Sequence, residues 1–135
     1  MKPLLILPVL GALALAACKK DETLSGYGAA DAVWELVELD GKTFTARATL
    51  TFPEEGKLAG QAPCNRYFAE QSAPYPWFKA GPIGATRMAC ADLDEEQRFL
   101  GALAAMTLSE VSGDTLILSN DTGREMVFRA AARDG

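Results

Sequence analysis

Hydrophobic and polar positions change their spacing several times along the chain, and each change predicts a different element. From Leu4 to Ala17 nearly every residue is apolar. That run is too short for the ~20 residues that span a bilayer core. With Lys2 before it and small residues at its end, it reads as the apolar region of an export signal, residues 1–17. Lys19 to Ala30 is polar, carries Gly and Ser, and has no hydrophobic period. The reading there is a flexible tether, residues 18–31, that lets the following domain stand off a membrane.

From Ala32 the spacing becomes that of short strands. Trp34 and Leu36 alternate with Glu35, and Asp40-Gly41 is a hairpin turn signal. Ala48, Leu50 and Phe52 alternate with Thr49 and Thr51. Pro53-Glu54-Glu55-Gly56 then turns the chain into a strand around Leu58. Trp77 through Ile83 to Thr86 reads as extended, with a kink or edge at Gly81-Pro82. One segment has helical spacing. Phe99, Leu100, Leu103 and Met106 recur on one face, Asp92 stands at the N-cap position with Glu95 three residues on, and Asp94 to Glu96 favour the dipole. Two further strands, Thr115–Leu118 and Glu125–Arg129, follow turns at Ser112-Gly113-Asp114 and Asn120–Gly123. The expected fold is mainly β with one helix. It is a small antiparallel β-barrel or a strongly curved sheet, with a helix near 92–106 covering an open end. That makes one domain, 32–131, with a tail at 132–135.

Composition narrows the chemistry. The 135 residues include no histidine, which removes Ser-His-Asp and Cys-His catalysis and His-ligated zinc. Neither a phosphate-binding loop nor a dinucleotide-type glycine fingerprint occurs, so no cofactor or metal is expected. The formal charge is −5, and loss of Lys2 with residues 1–17 takes it to −6. An acidic chain without a long basic run is a poor match for nucleic acid.

The apolar start ends Leu15-Ala16-Ala17-Cys18. This is similar to the lipobox of bacterial lipoproteins, which implies cleavage before Cys18 and lipidation of that residue. The partner is then the membrane, through the lipid anchor. Lys19, rather than aspartate, follows the cysteine, and by resemblance to lipoprotein sorting this points to the outer membrane with the domain in the periplasm. Cys64 and Cys90 remain as an even pair in an exported protein, which favours a disulfide.

Two polar segments stand out, Cys64-Asn65-Arg66-Tyr67 and Thr86-Arg87-Met88-Ala89-Cys90. With Trp34-x-Leu36, Asp40-Gly41, Thr49-Leu50-Thr51-Phe52, Ile83-Gly84-Ala85, Glu96 to Leu103 and Gly113-Asp114-Thr115-Leu116, their order and spacing resemble the META-domain, or HslJ-like, family of bacterial envelope proteins. The match covers about 34 to 129. Pro63, Ala69 and Ala91 stand where that family more often has glycine, glycine and proline. The resemblance implies a compact β fold with a helix, no known enzymatic activity, no catalytic residues, and a link to heat and antibiotic stress in the envelope.

The two segments allow several readings. Asn65 suits a turn. Arg66 and Arg87 read first as pairing with acids such as Glu70 or Asp92, and second as holding an anion or a partner; Thr86 lies beside them. Tyr75-Pro76-Trp77-Phe78 reads as strand packing, or as a sticky patch for a partner or the membrane surface. A non-enzymatic envelope lipoprotein that binds an unknown envelope protein is the first expectation. The second is a lipocalin-like carrier of a small apolar ligand, and filling of the interior by large side chains decides between them.

Overall fold

The computed structural model describes residues 20–131; Cys18 and its lipidation lie outside them. Among the described residues there are nine strands, one α-helix and a short 3₁₀ turn at Leu24–Tyr27. The strands are β1 (Trp34–Leu39), β2 (Lys42–Thr43), β3 (Thr49–Leu50), β4 (Lys57–Gln61), β5 (Arg66–Glu70), β6 (Gly84–Ala85), β7 (Leu108–Ser112), β8 (Thr115–Ser119) and β9 (Glu125–Ala130). The helix, α1, is Leu93–Ala105.

All strand pairs are antiparallel, and they form two sheets. One runs β2-β1-β9-β8-β7, with β3 also on β1; the other runs β4-β5-β6. They meet at one corner, where Thr51 and Ala59 exchange backbone hydrogen bonds of 2.7 and 3.0 Å. The sheets do not close into a barrel. β3 and β6 each have two residues, so the wall is a strongly curved, interrupted sheet. Turn chemistry explains the β1–β2 hairpin. Asp40 and Gly41 both take positive φ, 51° and 79°, the left-handed pair that such a turn requires. Arg124 donates to the Asp40 carboxylate and holds its pKa below the ordinary value.

Alternation places the core. Trp34 and Leu36 are buried while Glu35 is exposed; a register shift between Leu36 and Glu38 then turns Leu39 inward as well. Leu116 faces Phe128 and Leu118 faces Met126 across β8 and β9, all four fully buried. Trp34, Leu36, Leu50, Phe52, Leu116, Leu118 and Phe128 are each at most 5 % exposed, so the interior is filled by side chains.

The helix completes that core. Phe99, Ala102, Leu103 and Met106 are buried; Leu100 is only partly so. The Phe99 ring meets Tyr67 of β5 edge-on at 5.4 Å and Phe44, just after β2, at 6.4 Å. α1 therefore lies over the gap between the two sheets. Its start differs from the sequence expectation. Asp92 occupies the N-cap position, yet its side chain makes no capping bond. Glu95 pairs with Arg98 instead of reaching back.

The segment read as a tether is largely part of the domain. Leu24 and Ala29 are fully buried, the Trp34 indole donates to the Ala29 carbonyl at 3.0 Å, and Thr23 bridges to Pro74. Two apolar residues in a polar stretch give no period, but each fills a site that the strands leave open. Asp21 accepts from Thr23 and from Ser25; burial raises its pKa, but these bonds outweigh it and leave it lowered. Among the described residues no helix is long and apolar enough to cross a membrane.

Candidate functional site

The β4–β5 turn and the loop that enters α1 are brought together by three kinds of bond. The first is covalent. Cys64 and Cys90 form a disulfide, with Cα atoms 5.7 Å apart across 26 positions of sequence.

The second is a buried amide. Asn65 is 3 % exposed. Its Nδ2 donates to the Met88 carbonyl at 3.0 Å and to Glu96 Oε2 at 2.7 Å. Its Oδ1 accepts from the Met88 N–H at 2.6 Å and the Thr86 hydroxyl at 2.9 Å. An asparagine side chain offers two donors and two acceptor sites, and all four are in use. Its own carbonyl accepts from Ala62 N–H at 2.8 Å and closes the turn. Asn65 is therefore in a turn, as its type suggests, but its side chain ties three separate segments together.

The third is a buried carboxylate. Glu96, in the first turns of α1, is 4 % exposed. It accepts from the Cys64 N–H at 3.0 Å, the Asn65 N–H at 2.7 Å and the Asn65 amide. Three donors on one carboxylate meet the requirement that a buried charge be hydrogen-bonded. Sequence reasoning placed Glu96 only at the helix dipole and missed its buried role, although a signal was present: it lies three residues before Phe99 and seven before Leu103, on the helix face that turns inward. An acid in apolar phase needs donors from elsewhere.

Thr86 joins the network on its outer side. Its hydroxyl accepts from the Arg66 N–H at 3.2 Å, and its own N–H donates to the Arg66 carbonyl at 3.1 Å. Arg66 opens β5 and Arg87 lies in the loop just after β6, and both are exposed. The ion pairs expected for them do not form. Glu70 pairs with Lys57 at 3.0 Å, and among the described residues neither arginine is in a salt bridge. The reason is register: Glu70 faces Lys57 on β4, whereas Arg66 faces Gln61. Met88 stands between Arg87 and the disulfide, 68 % exposed. A surface cleft of about 320 Å³ opens beside them, lined by Thr86, Arg87, Met88, Leu93, Gln97 and Leu100 with Asn65 and Glu96 at its floor. The result is a braced ridge: backbone tied by these bonds, two cations and a thioether outside, and among the described residues no buried side-chain N or O left without a hydrogen bond.

A second rigid point lies behind it. Tyr67 is 1 % exposed and donates to the Thr49 carbonyl at 2.6 Å; burial pushes its phenol pKa far above the ordinary value. Gly60, opposite Tyr67, allows this contact. A Cβ there would lie 2.1 Å from the same carbonyl oxygen. Among the described residues no group of three or more Cys, Asp or Glu is placed to hold a metal ion.

Comparison with known proteins agrees with this architecture. The family model described as META domain matches residues 28–133. A protein from Burkholderia xenovorans solved by NMR is similar in structure, with a TM-score of 0.63 and 25 % identity over 78 % of this chain and 85 % of that one. A DUF4847 family protein from Bacteroides vulgatus shares the fold at a TM-score of 0.61 and 13 % identity, over 80 % of this chain and 98 % of its own. No curated protein sequence matches the chain.

Proposed function

The chain belongs to the META-domain family, and from that premise we propose that it is a non-enzymatic, lipid-anchored envelope protein. It supports envelope integrity and stress tolerance by binding or assembly, and the ridge around Cys64–Cys90 is its contact face. The observation that carries this reading is the braced ridge itself. A disulfide persists in an oxidising compartment, which agrees with the export signal read at 1–17 and the anchor at Cys18. The Asn65–Glu96 network then holds Arg66, Arg87 and Met88 outward without internal partners. Cations on a backbone braced in this way favour anionic groups on a partner, because little loop ordering is left to lose on binding.

Glu96 would be the natural base of an enzyme here, but its oxygens are engaged by three donors. The carrier reading has less support. It needs an apolar volume inside the fold, where Trp34, Leu50, Phe52 and their neighbours are packed. The anchor is tested with Cys18→Ser: the protein moves to the soluble periplasmic fraction or stays uncleaved, and an intact mass showing unmodified mature Cys18 in the wild type overturns it. The contact face is tested by crosslinking in native membranes. Capture of an envelope protein is lost in the Arg66→Ala, Arg87→Ala double variant and retained in Lys42→Ala, a change at an exposed site on the other sheet.

A further inference from the structure

The turn Pro74–Trp77 lies outside this contact face, and its two aromatic side chains differ: Tyr75 packs partly against the core and its hydroxyl accepts from the Val111 N–H at 3.2 Å, while Trp77 stays outside. Phe78 is buried at 2 % exposure, but Trp77 is 57 % exposed. Tyr27, 43 % exposed, stacks on Tyr75 with ring centroids 4.6 Å apart and planes at 14°. The turn is held firmly. Trp77 N–H donates to the Pro74 carbonyl at 2.8 Å, Ser109 N–H donates to the Pro76 carbonyl at 2.7 Å, and Phe78 N–H donates to the Thr107 carbonyl at 2.9 Å. The exposed indole, with the Tyr27–Tyr75 stack, gives this end of the molecule aromatic rings that present an apolar body and a polar edge.

The chain itself names the occupant. The chain just after the anchor position is bonded to this same turn: Tyr75 N–H donates to the Glu22 carbonyl at 2.7 Å, and Thr23 bridges to Pro74. Lys20 places its ammonium 5.7 Å from the Tyr27 ring centre. From Glu22 to Cys18 there are four peptide steps, at most ~14 Å of chain. The headgroup layer on one side of a bilayer is about 5–7 Å thick. A lipid on Cys18 therefore holds the aromatic turn close to the membrane surface, with at most about 9 Å of chain beyond the headgroup layer. Tyr and Trp prefer that boundary, where a ring meets the acyl region and a polar edge stays wet.

We infer that Tyr27, Tyr75 and Trp77 form a membrane-interface contact, through which the domain rests on the bilayer that carries its anchor. This rests on lipidation at Cys18. Rings, not charge, carry the contact: exposed Glu22 lies beside Lys20, so neutral lipid suffices. The orientation leaves the domain docked by one face instead of swinging on a linker.

Two tryptophans make the test direct. Trp34 is 1 % exposed and reports the core, whereas Trp77 reports the turn. The protein is purified from native membranes with its anchor, its intact mass is measured, and it is incorporated into phosphatidylcholine vesicles with or without brominated acyl chains. The expected result is a blue shift of Trp77 emission in vesicles and loss of its intensity in the brominated ones. In Trp77→Phe the remaining Trp34 emission is the same in both. A mass without lipid at Cys18 overturns the anchor and this inference together. A lipidated, vesicle-bound protein whose Trp77 emission stays water-like and unquenched overturns this inference alone, and assigns the rings to a protein partner.

Discussion

Asn65 does at the scale of one residue what a stretch of secondary structure does elsewhere. Its four side-chain bonds join the β4–β5 turn to the backbone at Met88, to Thr86 and to Glu96. Asn65→Ala removes all four, and the largest consequence is at Glu96, a buried carboxylate left with two donors. An unmet buried polar group costs about 1–3 kcal/mol, and Met88 sits where water can reach it. The expected loss is therefore about 2–4 kcal/mol in a denaturant melt. Asn65→Asp keeps the shape but sets a carboxylate oxygen where Nδ2 lies 2.7 Å from Glu96. It should cost at least as much as alanine; a nearly neutral Asp variant would show that Glu96 does not depend on this donor. Residue type alone suggested a turn asparagine. The partners of its side chain lie 21 to 31 positions away, and no local pattern reports them.

At the scale of elements, α1 decides whether the two sheets act as one body. It contributes Phe99, Leu103 and Met106 to the core at 0–1 % exposure, and Phe99 reaches Tyr67 and Phe44. Leu103→Ala should cost about 2–5 kcal/mol, as a buried large-to-small change does. Gln97→Ala, on the exposed face, should stay within about 0.5 kcal/mol. The two melts compared directly are the check, and equal small losses would mean that the helix is not part of the core. The period that predicts α1 is the same property that buries it, so this element was legible from residue spacing. Its N-terminus was not. The acids Asp92 and Glu95 fit a capping pattern, but Glu95 turns to Arg98 within the helix instead, while tertiary contact engages Glu96 with the Cys64–Asn65 turn.

At the scale of the whole molecule, one covalent bond and one corner hold the curved sheet together. The Cys64–Cys90 loop of 26 positions corresponds to about 3.5 kcal/mol in the chain-entropy account. Reduction, or Cys64→Ser with Cys90→Ser, should lower the unfolding free energy by roughly 3–4 kcal/mol while leaving the far-ultraviolet spectrum folded. A loss well under ~1 kcal/mol would mean that Asn65 and Glu96 already fix the loop in the unfolded reference as well. Cysteine parity and compartment pointed to this bond, and they need no geometry. The sequence by itself determined what depends on local order: strand alternation, the Asp40-Gly41 hairpin, the helix, and the pairing of the two cysteines by count. Alternation sets which side of a strand is apolar, and φ preference sets where the chain reverses. Tertiary structure alone decided the rest. It left the barrel open, because two-residue strands β3 and β6 cannot carry a continuous ladder. It drew the polar segment from Glu22 onto the domain, because Leu24 and Ala29 fill gaps that only the assembled sheets create. It also released Arg66 and Arg87 from the acids expected to hold them. Cross-strand register, which depends on where distant strands meet, had already given Glu70 to Lys57.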